Sequence, residues 1–119
     1  MSTYRHFKDS EFRLARPACS LSDMDHSFMQ HLDLAREKAG IPFKINSAFR
    51  SVEYEKSQGR KGTSSHCFGL AVDIRCTTSL QRLKIVSALL EVGFERIGIG
   101  KTFIHVDFDQ EKNSAIWLY

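Results

Sequence analysis

One segment, TSSHCFGLAVDIRC at residues 63–76, constrains this chain more than any other. Its second half alternates as a strand does, with Ala71, Asp73 and Arg75 on one face and apolar residues on the other. His66 stands seven positions before Asp73, and no other charged residue lies between them. Because burying an unpaired carboxylate is costly, Asp73 requires a cationic partner, either a basic side chain or a metal ion.

The sequence around this segment predicts an α+β domain in which a small, mostly antiparallel sheet packs with two main helices. Ser22 or Asp23 can cap the first helix, and Gly40 can end it. A turn near Gly100 separates the last two strands. In chain order, the predicted elements are a helix in 22–40, a strand in 41–47, a short helix in 51–58, a strand in 69–76, a helix in 78–92 and strands in 94–100 and 101–109.

Hydrophobic spacing also predicts the core. Phe28 and Phe94 are expected inside it, and Trp117 is expected either to anchor the C-terminal tail or to contact a cell wall. A chain of 119 residues is long enough for one such core, so residues 1–119 are predicted to form a single domain. The inward positions expected on the second main helix are Leu80, Leu83, Val86, Leu89 and Leu90.

The charge pattern argues against nucleic-acid binding. The net charge is +3, and the positive residues are scattered along the chain. The best cluster, GRKG at 59–62, lies in a predicted loop rather than on a helix that would fill a groove. No stretch approaches the roughly 18 apolar residues of a membrane span. We expect a monomer that binds neither nucleic acid nor a membrane.

The cysteines and the first residues bear on the compartment. Cys19, Cys67 and Cys76 cannot all pair, which favours a reducing environment over a disulfide framework. The start, MSTYRHFKDSEF, lacks the apolar core of a secretory signal. These features predict a protein that is cytoplasmic as synthesised and reaches a cell wall only when something else releases it.

The chemistry of His66 and Asp73 suggests a metal site. Zinc accepts histidine nitrogen and aspartate oxygen, and a catalytic zinc site has three protein ligands with one position left open. The closing strand FIHVDFD offers His105 as the third ligand. If this strand pairs with the strand that carries Asp73, the three side chains meet.

Other assignments of these residues stay open at the sequence level. The two histidines can be unrelated, and Asp73 can pair with Arg75 on the same strand face. A thiolate site with Cys67 and Cys76 is disfavoured, because adjacent side chains diverge on an extended segment and Cys76 falls on the face opposite Asp73. His6, His26 and His31 are interpreted as structural or solvated.

Three motifs carry a family resemblance. SSHCFGLAVDI matches the pattern S-x-H-x-x-G-x-A-x-D and resembles the zinc D-alanyl-D-alanine carboxypeptidases, whose relatives include phage L-alanyl-D-glutamate endolysins and the Hedgehog signalling domain. NSAFRS is similar to the family segment S-G-Y-R-S, and RIGIGKTFIHVDFD is similar to its closing strand. YRHFKDSEF and IWLY resemble the small phage and prophage branch. The resemblance spans nearly the whole chain.

The resemblance implies a fold like that of Hedgehog and the D-Ala-D-Ala peptidases, and it implies roles for individual residues. His66, Asp73 and His105 would bind zinc. Arg50 would contact the substrate carbonyl or carboxylate and stabilise the developing oxyanion, and Ser64 would lie near the substrate.

Two positions depart from the family pattern. Several relatives have a catalytic carboxylate three residues before the last histidine, where this chain has Thr102. Asp107 is the best remaining candidate for the base, since strand geometry places it beside His105. Alternatively, Asp107 orients a ligand, in which case Glu95 or Asp109 is the base or the activity is weak. The second departure, Ala48 in place of glycine, is small.

The resemblance therefore predicts a zinc-dependent peptidase that cuts peptide stems or cross-links of bacterial peptidoglycan with a zinc-activated water molecule. The D-Ala-D-Ala bond, the L-Ala-D-Glu bond and a cross-link all remain open as targets. Its implied setting is a phage or prophage lysis protein. Two rival functions are a catalytically weak or inactive zinc-binding member of the same fold that binds cell wall or a partner, and a basic binding module without metal.

Overall fold

A mixed five-stranded sheet organises the fold, with strands in the order β1-β2-β4-β3-β5. The computed structural model describes residues 4–119. The helices are α1 (Asp9–Arg13), α2 (His26–Ala39), α3 (Val52–Ser57) and α4 (Ser79–Glu91), and the strands are β1 (Ile45–Ser47), β2 (Ala71–Arg75), β3 (Arg96–Ile99), β4 (Phe103–Asp107) and β5 (Ala115–Leu118). Neighbouring strands are antiparallel except β3 and β5, which are parallel. The predicted α+β class with a mostly antiparallel sheet is confirmed.

One face of the sheet is covered by the two long helices. Helices α2 and α4 pack against each other, and α4 also contacts β4. Phe28 and Phe94 are buried in the core as expected, with their ring centroids 5.8 Å apart in an edge-to-face arrangement. The sheet contributes a buried apolar layer to this core, made of Val72, Ile74, Ile97, Ile104 and Val106. No helix in residues 4–119 is long and apolar enough to cross a membrane.

The first long helix begins slightly later than the sequence predicts. Asp25 caps α2 by accepting a hydrogen bond from the Phe28 amide at 2.9 Å. The predicted cap residues belong instead to a separate 3₁₀ turn, Leu21–Asp23. Gly40 ends α2 in the left-handed conformation at φ 69°, as expected.

The predicted inner face of α4 is partly wrong. Leu80, Leu83 and Leu90 are exposed, whereas Leu89 is buried as expected. Leucines lie on both sides of this helix, so their spacing alone does not determine its orientation. The residues of α4 that are buried in the structure are Ile85, Ala88 and Leu89.

Three segments near the ends of the predicted elements also differ. The sequence prediction contains neither α1 nor β5, and the strand predicted in 41–47 is confined to Ile45–Ser47. Strand β5 is exposed at the sheet edge, and Ile116 and Leu118 both face solvent, so the residues AIWL lack the alternation of a half-buried strand. Trp117 does anchor the tail, because its ring packs on Arg96 and His105.

Candidate active site

One row of residues crosses the open face of the sheet. Paired Cα positions link Ser47 to Asp73, Asp73 to His105, His105 to Gly98, and Gly98 to Trp117. Side chains in such a row point to the same face of a sheet. This face is opposite the one covered by the helices, so Asp73 and His105 stand side by side, as the sequence predicts.

A short turn brings His66 to the same place. The 3₁₀ turn Ser65–Phe68 is capped by Ser64, whose hydroxyl accepts a hydrogen bond from the His66 amide at 3.2 Å. Gly69 ends the turn at φ 68°, where a Cβ would lie 2.5 Å from the Asp23 carbonyl oxygen. Only glycine fits this position, because the conformation and the close approach both exclude a side chain.

The three predicted ligands converge. The Oδ1 of Asp73 lies 3.0 Å from Nδ1 of His105 and 3.4 Å from Nε2 of His66. One ligand atom from each residue lies within 4.8 Å of the others, a spacing that can hold a metal ion. Asp73 thus faces the two histidines rather than Arg75, and the alternative of two unrelated histidines is wrong.

The outer nitrogens of both rings are already hydrogen-bonded. Nδ1 of His66 donates to the carbonyl oxygen of Ala48 at 2.7 Å, since a carbonyl can only accept. Nε2 of His105 donates to Oδ2 of Asp107 at 2.7 Å. In the neutral rings the two inner nitrogens therefore carry lone pairs, and both face the Asp73 carboxylate.

Three electron-pair donors that meet in a buried place require a cation. Two imidazole nitrogens and one carboxylate oxygen suit a divalent ion such as zinc, and metal-binding histidines usually donate their other N–H to a carbonyl or carboxylate. The residues present therefore fit a metal ion. A proton is the alternative cation: although burial opposes it, hydrogen bonds to Asp107 and Asp73 raise the pKa of His105. Burial also opposes ionisation of Asp73, but its hydrogen bonds with His105 and His66 lower its pKa.

Asp107 lies on the far side of His105 from the other two ligands. Its side chain is 0% exposed, and Oδ1 accepts hydrogen bonds from Nε of Arg96 at 2.7 Å and from the Asp109 amide at 3.0 Å. Burial opposes its ionisation, yet His105, the Asp109 amide and Arg96 together lower its pKa. Of the two predicted roles for Asp107, this geometry favours orienting a ligand over acting as the base.

Arg50 and Ser64 border the same site. The guanidinium of Arg50 lies between Asp73 and Glu55, with N–O separations of 3.6 and 3.7 Å. Its Nε is buried and has no hydrogen-bond partner among residues 4–119. A cavity of about 220 Å³ opens here, lined by Arg50, Ser64, His66, Asp73, Phe103, His105 and Tyr119.

The other carboxylates proposed as a base lie outside this cavity lining. Glu95 accepts a hydrogen bond from the Ser114 hydroxyl, and Asp109 accepts one from the Ser65 hydroxyl at 2.7 Å. Asp109 also pairs with Lys112. Asp109 therefore ties the turn that carries His66 to the segment after β4, which is a structural role.

Two aromatic residues line the cavity to which the sequence analysis gave no role in the site, Phe103 and Tyr119. Phe103 precedes His105 by two positions on β4, so the alternation of the strand places both on one face. Tyr119 follows β5, a strand that the sequence prediction lacks. Partial burial raises the pKa of the Tyr119 phenol.

Within residues 4–119, the group of converging donor atoms includes no cysteine and none of the remaining histidines. Cys76 is buried and directs its sulfur toward the Thr78 carbonyl, and burial raises the pKa of the Cys67 and Cys76 thiols. This agrees with the prediction against a thiolate site. His26 hydrogen-bonds the Tyr4 hydroxyl, and His31 hydrogen-bonds the Ser27 carbonyl oxygen within α2.

The chain was also compared with known proteins. No curated protein matches it. The Peptidase M15 family model matches residues 5–107, which contain all three candidate ligands together with Arg50 and Ser64. Because this match covers most of the sequence, the chain belongs to the Peptidase M15 family of metallopeptidases.

Proposed function

We propose that this protein is a zinc-dependent peptidase that hydrolyses peptide stems or cross-links of bacterial peptidoglycan. One observation carries the proposal: the donor atoms of His66, Asp73 and His105 converge while the outer nitrogen of each ring is bound to an acceptor. Membership of Peptidase M15 supports metallopeptidase chemistry. The peptidoglycan substrate comes from the family resemblance of the motifs.

His66, Asp73 and His105 hold the metal in this proposal. A bound zinc ion supplies a Lewis acid and lowers the pKa of water to about 7. The Ala48 carbonyl and Asp107 fix the orientation of the two imidazole rings, so that each inner nitrogen keeps its lone pair for the metal. Asp107 is therefore proposed as a positioning residue.

Arg50 binds the substrate. Its guanidinium makes only long contacts to Glu55 and Asp73. Its Nε is buried and has no hydrogen-bond partner within residues 4–119, so the group can still donate a hydrogen bond to a ligand. A carbonyl or carboxylate oxygen of a peptide in the cavity satisfies that donor. Loss of one such oxyanion donor typically costs about 10²–10³ in rate.

A second candidate function is a zinc-containing member that binds stem peptides and cuts them slowly or not at all. One observation favours it: among residues 4–119, the only carboxylate side chain in the cavity lining is that of Asp73, which would be bound to the metal. Thr102 also stands where several relatives have a catalytic acid. A base would then have to come from the substrate, from the tail or from solvent.

Digestion of purified sacculi separates the two candidates. Zinc-loaded wild type is incubated with sacculi, and new amino groups and muropeptide masses are measured. We expect shortened peptides from the wild type and none from His66→Ala. His26→Ala is the matched control, because this histidine is exposed and lies on α2. Binding of zinc and sacculi without any product would favour the binding function, and absence of both would contradict the two candidates.

A further inference from the structure

Strand β5 adds an aromatic surface beside the candidate metal ligands. Its parallel pairing with β3 places Trp117 at the end of the row that contains Asp73 and His105. The Trp117 ring lies 5.6 Å from the His105 ring, and the ring of Tyr119 lies 5.0 Å from that of Phe103. The residues of this strand fall outside the match to the family model, which ends at residue 107.

A glycine makes this arrangement possible. A Cβ on Gly98 would lie 2.7 Å from the Trp117 ring and 2.6 Å from the Tyr119 ring. Glycine inside a strand often marks a place where another group approaches the backbone closely. Because Gly98 leaves its position in the row empty, the aromatic rings extend across β3 toward His105.

The Trp117 ring packs against the side chains of Arg96 and His105. The guanidinium of Arg96 lies 4.8 Å from its centre, and the same arginine hydrogen-bonds Asp107 behind His105. Tyr119, in contrast, is 68% exposed although it lines the cavity. A partly buried inner ring beside an exposed outer ring is an arrangement suited to contact with a ligand.

The cavity has two chemically different sides. Arg50 and Ser64 provide donors on one side, and Phe103 and Tyr119 provide ring surface on the other. Its volume of about 220 Å³ is below the roughly 300–1,000 Å³ of sites for drug-sized ligands. Such a cavity suits one or two small residues of a peptide, with polar backbone toward Arg50 and an aliphatic side chain toward the rings.

We propose that Phe103 and Tyr119, with Trp117 packed behind Tyr119 at 6.2 Å between ring centroids, form an aromatic wall beside the metal site, and that the Tyr119 ring packs against an aliphatic part of the substrate peptide. The inference rests on the proposed function for the identity of the substrate. It assigns to β5 a role in substrate binding, and Tyr119 becomes a specificity-determining residue.

Steady-state kinetics test the wall when the zinc-loaded enzyme is active. The probe is the soluble stem pentapeptide L-Ala-D-γ-Glu-L-Lys-D-Ala-D-Ala. Tyr119→Ala is expected to raise KM about tenfold or more with kcat changed little, since the contact exists in the ground state and transition state alike. Tyr119→Phe keeps the ring and is expected to stay within about threefold of the wild type.

Leu118→Ala is the matched control, because Leu118 is the preceding residue, belongs to β5 and is 78% exposed away from the rings. It should leave KM unchanged. Gly98→Ala should raise KM as well, because its new Cβ displaces the two rings. An unchanged KM in Tyr119→Ala, or an equal loss in Tyr119→Phe and Tyr119→Ala, would overturn the proposal. Circular dichroism and zinc content confirm that each variant is folded and loaded.

Fluorescence gives a second readout that needs no turnover. Trp117 is the only tryptophan of the chain, so its emission reports on the wall alone. Titration of the zinc-loaded protein with the pentapeptide should change this emission saturably, and Tyr119→Ala should shift the midpoint about tenfold.

The two proposals can fail separately. Saturable emission without hydrolysis supports the wall and contradicts the enzyme. Hydrolysis with unresponsive emission and unchanged KM in Tyr119→Ala contradicts the wall alone. Absence of both signals contradicts the two together.

Discussion

The two faces of the β2–β4 pair differ in polarity, although alternating residues of the same two strands build both. On the helix side, Val72 and Ile104 are buried among apolar groups. On the open side, Nδ1 of buried His105 lies 3.0 Å from Oδ1 of half-buried Asp73. Alternation along the strands produces both faces from adjacent positions.

The difference between the faces lies in what each requires. The apolar face depends on volume and shape, so substitutions there act on the free energy of unfolding. The polar face depends on the identity and protonation of individual atoms, so substitutions there act on metal binding. The comparison predicts that stability and metal affinity separate according to the face that is changed.

Replacing a ligand should have the largest effect. His105→Ala removes one of three donors and leaves Asp107 without its imidazole partner. Loss of a residue that hydrogen-bonds a metal ligand typically lowers metal affinity or activity about 10–100-fold. We expect loss of the ligand itself to lower zinc affinity and peptide release from sacculi by more than this. Zinc analysis after dialysis and muropeptide mass spectrometry measure these losses. Retention of stoichiometric zinc in this variant would contradict the claim that residues of the open face determine metal binding.

A cavity in the helix-covered face should act on stability instead. Ile104→Ala is expected to lower the free energy of unfolding by about 2–5 kcal/mol, and Ile104→Val by about 0.5–1.5 kcal/mol. Urea unfolding of the metal-free protein measures both. The zinc affinity of the folded variants should remain close to that of the wild type. If Ile104→Val lowered zinc affinity as much as His105→Ala does, the two faces would not act separately on stability and metal binding.

Asp107 tests the boundary between the faces, since it is buried yet contacts a ligand. Asp107→Asn is expected to weaken zinc binding about 10–100-fold. If Asp107 only orients His105, saturating zinc restores kcat. A kcat that stays low in the fully loaded variant would instead support the role of base that the sequence suggested.

The smallest effect concerns Asp109, which ties the His66 turn to the segment after β4. Burial opposes ionisation of this carboxyl, but the Ser65 hydroxyl, the Glu111 amide and Lys112 together hold its pKa below the usual range. A carboxylate with a lowered pKa stabilises the fold above its unfolded pKa and loses that contribution as the pH falls through the folded value.

Asp109→Asn is therefore expected to cost about 1 kcal/mol at neutral pH. The difference from the wild type should shrink below about pH 4, the range in which the unfolded carboxyl takes up its proton. Thermal unfolding of both proteins across this range measures the change. A difference that grows as the pH falls would contradict the assignment.

The candidate ligands could be predicted because they stand in segments with a clear sequence pattern. Alternation in β2 and β4 predicted the faces of Asp73 and His105. The turn that carries His66 was not predicted, because Gly69 was assigned to the strand in 69–76, whereas β2 begins at Ala71. Helix ends followed from Gly40 and Thr78, whose local hydrogen bonds depend on few neighbours.

Features that depend on distant contacts were not predictable in the same way. The orientation of α4 was partly misassigned because its leucines lie around much of the helix, and packing against α2 buries Leu89 while leaving Leu83 exposed. Strand β5 exists through its pairing with β3, and Tyr119 reaches the cavity only because of that pairing. The sequence could not show that Asp107 hydrogen-bonds the outer nitrogen of His105, because this contact depends on how the imidazole ring is turned.

Native mass spectrometry of the purified chain tests the metal site most directly. We predict one zinc ion bound to each wild-type chain after removal of excess metal, and none bound to a folded His66→Ala variant. A folded wild-type chain without stoichiometric zinc, or a variant that retains it, would contradict convergence of His66, Asp73 and His105 on one ion.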